Sequence, residues 1–329
     1  MTRHAVLMTG LAVLVAALFM ASLLIGPAGV GPGESLTALL DGEGVLALVM
    51  REIRLPRALL GLLVGAALGV SGAAMQGFLR NPLAEPGLIG TSASAALGAV
   101  LALQTGLASA WMLGLPAAAL AGAAVSVLLV LALAGPRGGT LALILAGIAI
   151  SALAGAGTSL VLNLSPNPFA ASEIMFWMMG SLADRSMLHV QVAAPLILPG
   201  LAVLLACGRA LDALTLGEDA AASSGIDLRR LRLALVLGGA AAVGGAVAVA
   251  GSIGFVGLVV PHLLRRAVGA RPGRLLAASG LGGAAMVLAA DVAVRLVVPG
   301  RDLQLGVLTA LVGAPLFLHL ILRTRRQGL

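Results

Sequence analysis

Ten apolar runs dominate the 329-residue sequence, at about 5–26, 58–78, 88–106, 111–134, 141–162, 190–208, 232–252, 255–264, 275–296 and 305–322. A bilayer-spanning helix uses roughly 20 apolar residues, so this spacing leaves almost no chain for a soluble domain. Within lipid a segment must satisfy its own backbone polar groups, which restricts runs of this length to helices. The expected fold class is all-α: one polytopic membrane domain over residues 1–329, with about ten transmembrane helices. With 60% hydrophobic and 10% charged residues and a mean hydropathy of +1.10, the chain lies far from soluble proteins, which are about a quarter charged.

Two runs need separate treatment. The first follows Arg3 and His4 but is long for a signal-peptide core, and many spans follow it, so it reads as an uncleaved anchor. The run at 255–264 is too short to cross alone. It follows Gly251-Ser-Ile-Gly254, and irregular backbone at membrane depth is tolerated only inside protein. It therefore reads as half of a broken helix within the bundle.

The polar residues exclude several chemistries. All 20 basic residues are Arg, so the Lys of a phosphate-binding loop is missing and this chain cannot cradle nucleotide that way. A single Cys207 and four scattered histidines (His4, His189, His262 and His319) point to no metal site. The net charge of +7 records topology rather than nucleic-acid binding. With the N-terminus inside and ten crossings, 14 arginines fall on the cytoplasmic side and six (Arg51, Arg54, Arg57, Arg185, Arg295 and Arg301) outside. That is the positive-inside bias, and it places both termini in the cytoplasm. Among the acidic residues only Asp291 lies within an apolar run, with Arg295 one turn away in ion-pairing register. An ion-coupled carrier normally keeps several ionisable groups at membrane depth, so coupling by membrane ions is disfavoured.

Glycine is abundant inside the runs. Gly61, Gly65, Gly69 and Gly72 recur on one helix face, which suits close packing of neighbouring helices; the alternative is a face that lines a pore or slides. A faint echo of residues 65–72 at 244–251, five spans later, would relate two inverted halves.

Three segments carry charge or irregularity without an obvious packing reason. Outside, Arg51-Glu-Ile-Arg54-Leu-Pro-Arg57 either contacts lipid headgroups or offers bidentate sites to the carboxylates of an acidic soluble partner. Inside, Arg80-Asn81-Pro82-Leu83-Ala84-Glu85-Pro86-Gly87 cannot be one helix, because two prolines interrupt it. It is a tight turn or a constriction, with Asn81 as its polar group and Leu83 as its plug. The inner loop of about 209–231 contains Leu216-Gly217-Glu218 and runs through Ala221 to Gly225. It is a solvated loop or a compact knob for a cytoplasmic partner.

These segments strongly resemble the permease subunits of type II ABC importers, the family that imports iron–siderophore complexes, haem and cobalamin. The resemblance runs from about residue 50 to 323. It is carried by R-L-P-R at 54–57, G-A-A-L-G-V-S-G at 65–72, Q-G-F-L-R-N-P-L-A-E-P at 76–86, and F-W-M-M-G-S-L at 176–182. L-G-E at 216–218, G-S-I-G-F-V-G-L-V-V-P-H-L-L-R at 251–265 and G-V-L-T-A-L-V-G-A-P-L-F at 306–317 complete it. Two connections depart from the family pattern, at Asp302-Leu-Gln304-Leu-Gly306 and at Pro272-Gly273.

The resemblance implies the type II ABC importer permease fold and a transport subunit, not an enzyme, working as a homodimer in the bacterial inner membrane. Its partners would be two cytoplasmic ATPase subunits and a periplasmic substrate-binding protein, besides membrane lipid, with no nucleic acid. No cofactor or metal is implied on this chain; ATP and Mg belong to the ATPase. Arg54, Arg57 and Arg295 would dock the binding protein. Asn81, Leu83 and Thr140 would gate the translocation path, and Leu216, Gly217, Glu218, Ala221 and Gly225 would couple to the ATPase. The cargo would be a ferric siderophore, haem or cobalamin, moved by alternating access at the dimer interface. The rival reading is a stand-alone ion-coupled secondary transporter. Eight aromatic residues and no Tyr offer no visible stacking cage for a flat macrocycle; Met75, Met112, Met175, Met178 and Met179 would serve core packing or an adaptable apolar wall.

Overall fold

The computed structural model describes residues 3–26, 30–40, 42–135, 140–165, 168–297 and 303–326. Arg137, Arg301 and Asp302, used above in the charge count and motif comparison, lie outside the described residues. The described residues form helices joined by turns and irregular connections, in the order α1 (Arg3–Leu24), α2 (Pro32–Leu40), α3 (Val45–Leu48), α4 (Leu55–Phe78), α5 (Thr91–Gln104), α6 (Leu107–Ala110), α7 (Gly114–Ala134) and α8 (Thr140–Asn163). They continue with α9 (Pro168–Met178), α10 (Met187–Ala206), α11 (Gly208–Leu214), α12 (Glu218–Ser223), α13 (Leu228–Ala250), α14 (Val256–Arg265), α15 (Pro272–Val297) and α16 (Leu305–Arg326).

Among the described residues, seven helical stretches are long and apolar enough to cross a membrane: α1, the continuous stretch from α3 through α4, α7, α8, α10, α13 and α15. At 1.5 Å per residue, a 20-residue helix covers about 30 Å, the thickness of a bilayer's hydrocarbon core. Three shorter apolar helices accompany them: α5, α14 and the described apolar part of α16 (Leu305–Leu318). Among the described residues the ten runs thus correspond to seven helices of spanning length and three shorter apolar helices. α5 has 14 residues because the turns after Pro82 and Pro86 consume the start of its run. α14 has ten and would cover about 15 Å, half a crossing.

α4, α13 and α15 are buried over most of their length, whereas α1, α7, α8 and α10 are buried over a third or less. The buried set forms the centre because its small residues let backbones touch. A Cβ added at Gly65 would meet the Gly283 carbonyl oxygen, one at Gly69 the Ser279 oxygen, and one at Gly72 the Gly257 oxygen. The glycine face of α4 is therefore the seam against α14 and α15, the packing use of the motif. α5 meets α7 through Gly98 and Gly122 in the same way, and α10 meets α13 through Gly200 and Gly238. Without a hydrophobic drive between helices in lipid, this close approach is what holds such a bundle together.

The gap that Pro261 leaves inside α14 is bridged from α4. Pro261 lacks an N–H, so the Gly257 carbonyl has no helical donor. Gln76, fully buried on α4, supplies one: its Nε2 donates to Gly257 O (3.4 Å) and Leu258 O (3.2 Å). Its Oε1 in turn accepts from Arg265 Nη2 at 2.8 Å.

Candidate functional site

At the end of the bundle where α4 begins and α15 finishes, four charged residues form one cluster. Asp291, 1% exposed, accepts from Arg57 (Nη2 to Oδ1, 2.8 Å) and from Arg295 (Nη2 to Oδ2, 2.7 Å). Arg295 also donates to the carbonyls of Ser22 (2.9 Å) and Ile25 (2.8 Å) and to Ser22 Oγ (2.7 Å). Arg54, 5% exposed, donates to the carbonyls of Leu23 (3.0 Å) and Leu24 (3.1 Å). Those oxygens are the orphan acceptors at the C-terminus of α1, where cations are favoured. Arg51 does the same for α2 through Leu39 O and Leu40 O, both at 2.9 Å. The structure thus gathers Arg54, Arg57 and Arg295 into one place, but with their guanidinium groups turned into the protein. The Asp291–Arg295 pair was legible in the sequence. Arg57 and the end of α1 were not, because nothing local links them.

At the opposite end lies the connection from α4 to α5. Asn81 Oδ1 accepts the Leu83 N–H at 2.9 Å, closing a tight turn. Asn81 and Leu83 are both exposed, whereas Ala84 is fully buried and anchors the loop. Glu85 follows, half-buried; its carboxyl sits toward the Phe255 N–H at the start of α14. Burial pushes that carboxyl above the ordinary range, against the opposing pull of the Phe255 N–H. Glu85, Leu68, Ser92, Met178 and Ser252 line a cavity of about 450 Å3 between the two breaks in the bundle. The two irregular segments face one another there, and a Cβ at Gly257 would strike the ring of Pro86.

Thr140, the first residue of α8, donates to Glu218 Oε1 at 3.2 Å. The structure therefore joins the expected gate residue to the expected coupling segment; among the described residues, no hydrogen bond links it to Asn81 or Leu83. The coupling segment is a short helical knob. α11 leads to Gly217 (φ +109°), α12 carries Ala221 fully buried against the core, and Gly225 (φ +87°) turns the chain into α13. Asp227 caps α13, accepting from the N–H groups of Arg229 and Arg230 at 3.0 Å each. Leu216 is 80% exposed, an apolar side chain held out beside Glu218. The departure at Pro272-Gly273 is accommodated by Asp212 on α11, which accepts from the Gly273 N–H (2.7 Å) and pairs with Arg271 (2.8 Å).

Among the described residues no group of three His, Cys, Asp or Glu side chains is placed to hold a metal ion.

The architecture and these segments can be set beside known proteins. A family model for the FecCD transport family matches residues 14–323. The chain is 42% identical over 280 residues to the hemin transport system permease protein HmuU of Yersinia pestis, covering 84% of each protein. It is 41% identical over 275 residues to the cobalamin import system permease protein BtuC of Halobacterium salinarum, covering 83% of this chain and 73% of that one. It is also 39% identical over 277 residues to the Fe(3+) dicitrate transport system permease protein FecD of Escherichia coli, covering 84% and 86%. A solved structure described as an inward-facing conformation of a metal-chelate type ABC transporter superposes with a TM-score of 0.84 at 32% identity, over 96% of this chain and 98% of that one. These relatives favour the importer permease over a stand-alone carrier. The chain belongs to the FecCD transport family: it is a permease subunit of an ABC importer, a transport component whose ATPase resides on separate chains.

Proposed function

We propose that this permease imports a metal chelate, of the class spanned by cobalamin, haem and ferric citrate, as a homodimer with the path at the subunit interface. The observation that supports it most directly is similarity, over 83–84% of this chain, to permeases named for those three cargoes. Two ATPase subunits, holding ATP and Mg, would bind the cytoplasmic face, and a periplasmic binding protein the outer face of the inner membrane, with both termini of the permease in the cytoplasm.

Coupling is assigned to Leu216, Gly217, Glu218, Ala221 and Gly225, because this stretch offers an exposed leucine on a knob braced by a buried alanine. Docking of the binding protein is assigned to Arg54, Arg57 and Arg295. Arg57, whose side chain keeps 18% exposure, is the member readiest to exchange Asp291 for an incoming carboxylate. The gate is assigned to Asn81 and Leu83 on the exposed turn and to Thr140 at the head of α8. A conformational cycle needs a ligand that binds its two states differently, and ATP on the partner subunits is that ligand.

The test is reconstitution with the ATPase and binding protein in proteoliposomes, followed by uptake of cobalamin, haemin or ferric citrate. ATP-dependent uptake of one of the three is expected, and none with an ion gradient alone. Uphill transport by the permease without its partners would overturn the proposal.

A further inference from the structure

A cavity outside the cluster around Asp291 has Arg185 and Glu173 in its lining, and neither forms an ion pair among the described residues. It has a volume of about 270 Å3 and lies where α5, α6 and the start of α7 face α9 and the start of α10. Leu103, Ser109, Met112 and Leu115 line it from the side of α5, α6 and α7, and Glu173, Arg185 and His189 from the side of α9 and α10. Arg185 is partly buried, and its Nε, shielded from solvent, has no hydrogen-bond partner among the described residues. Asp184 attracts it through space, yet neither Asp184 nor Glu173 forms an ion pair with it. A guanidinium withdrawn from water needs an anion or an array of acceptors.

His189 adds a donor on the same side. Its Nδ1 accepts the Ser186 N–H at 3.2 Å, so in the neutral ring the proton resides on Nε2. Glu173, on the same cavity but unpaired with Arg185, introduces the opposite charge. The site therefore fits a ligand with an anionic group for Arg185 and His189 and a cationic group for Glu173. Trp111, half exposed and next in sequence to the lining residue Met112, is the residue type that concentrates at the boundary between lipid and water.

We propose that this cavity binds the headgroup of a phosphatidylethanolamine-class lipid, its phosphate on Arg185 and His189 and its ammonium on Glu173. The assignment rests on the bilayer placement of the helices and not on the identity of the cargo. An ammonium that still carries N–H can donate to the Glu173 carboxylate, which a quaternary choline cannot. Glycerol headgroups carry the phosphate alone.

The experiment measures lipid retention by native mass spectrometry on the full-length permease, delipidated and then titrated with phosphatidylethanolamine, phosphatidylcholine or phosphatidylglycerol. The wild-type protein should prefer phosphatidylethanolamine. Arg185→Gln should weaken its binding about tenfold, the size of one lost charge-assisted contact. Glu173→Gln should erase the preference over phosphatidylglycerol while leaving phosphatidylglycerol binding unchanged. Arg185→Lys, which keeps the charge, controls for folding and should bind more tightly than Arg185→Gln. Equal retention by wild type and Arg185→Gln would overturn the proposal. So would inorganic phosphate competing as well as glycerophosphoethanolamine, because the site would then read a free anion and not a headgroup.

Discussion

A single carboxylate organises the end of the bundle where α4 begins and α15 finishes. Asp291 answers two arginines, and through Arg295 it fixes the end of α1. Half of this was legible beforehand: Asp291 and Arg295 lie one turn apart on a helix, and that register forces neighbours together. Arg57 lies 234 residues from Asp291, and only the α4–α15 seam brings them into contact. Gln76 carried a readable signal as the sole amide in the apolar run of α4, but its partners depend on the proline-made gap in α14. Asp291→Asn should be strongly destabilising, because it leaves two neighbouring guanidinium groups without their shared counter-charge. Breaking one side of a buried ion pair costs about 3–5 kcal/mol. Thermal unfolding in detergent measures this, and removing Arg57 in the same protein (Arg57→Gln) should restore part of the loss. An unchanged midpoint in Asp291→Asn would mean that the cluster contributes nothing to stability.

At the level of elements, the sequence periodicity located most helices and missed their joints. α4 reads as a span beginning near 58, yet the helical stretch starts at Val45 and passes through π-helical turns at Val49–Arg54. Charges at Arg51, Glu52 and Arg54 conceal that continuity from any reading based on apolarity. The half-helix α14 was legible, since Gly251–Gly254 and the shortness of its run both mark a break. The knob at α12 was also legible as Ala-rich helix bounded by glycines. Its geometry now sharpens a test. Gly225 has open space around it but a φ of +87°, so the obstacle to a side chain is backbone strain and not collision. Gly225→Asn, which tolerates this region, should keep ATP-driven uptake near the wild-type rate. Gly225→Val should fold, at a local cost of about 1–2 kcal/mol, and lose most transport per ATP hydrolysed. Paired measurements of hydrolysis and uptake in proteoliposomes check this. Equal coupling in both variants would detach Gly225 from energy transfer.

Across the whole molecule, burial divides the helices into a central set and a covering set. α8 leaves Leu141, Leu145 and Leu153 exposed at 57–69%, and α16 leaves Leu311 and Val312 exposed at 65% and 54%. Apolar faces of this kind meet lipid or a second subunit, and the homodimer proposed above would cover part of them. Light scattering in detergent should return a protein mass of twice the 32.4 kDa of one chain; a persistent single-chain mass in lipid nanodiscs would refute the dimer. The bond from Thr140 to Glu218 gives such an assembly a mechanical property. It joins the head of α8 to α12 across 78 residues of sequence, bypassing the long route through α9, α10 and α11. In the coupling proposed above, a push on the knob would have a one-contact path to a helix whose leucines lie exposed on its far side, and the stiffness of that contact would set how promptly the lever answers.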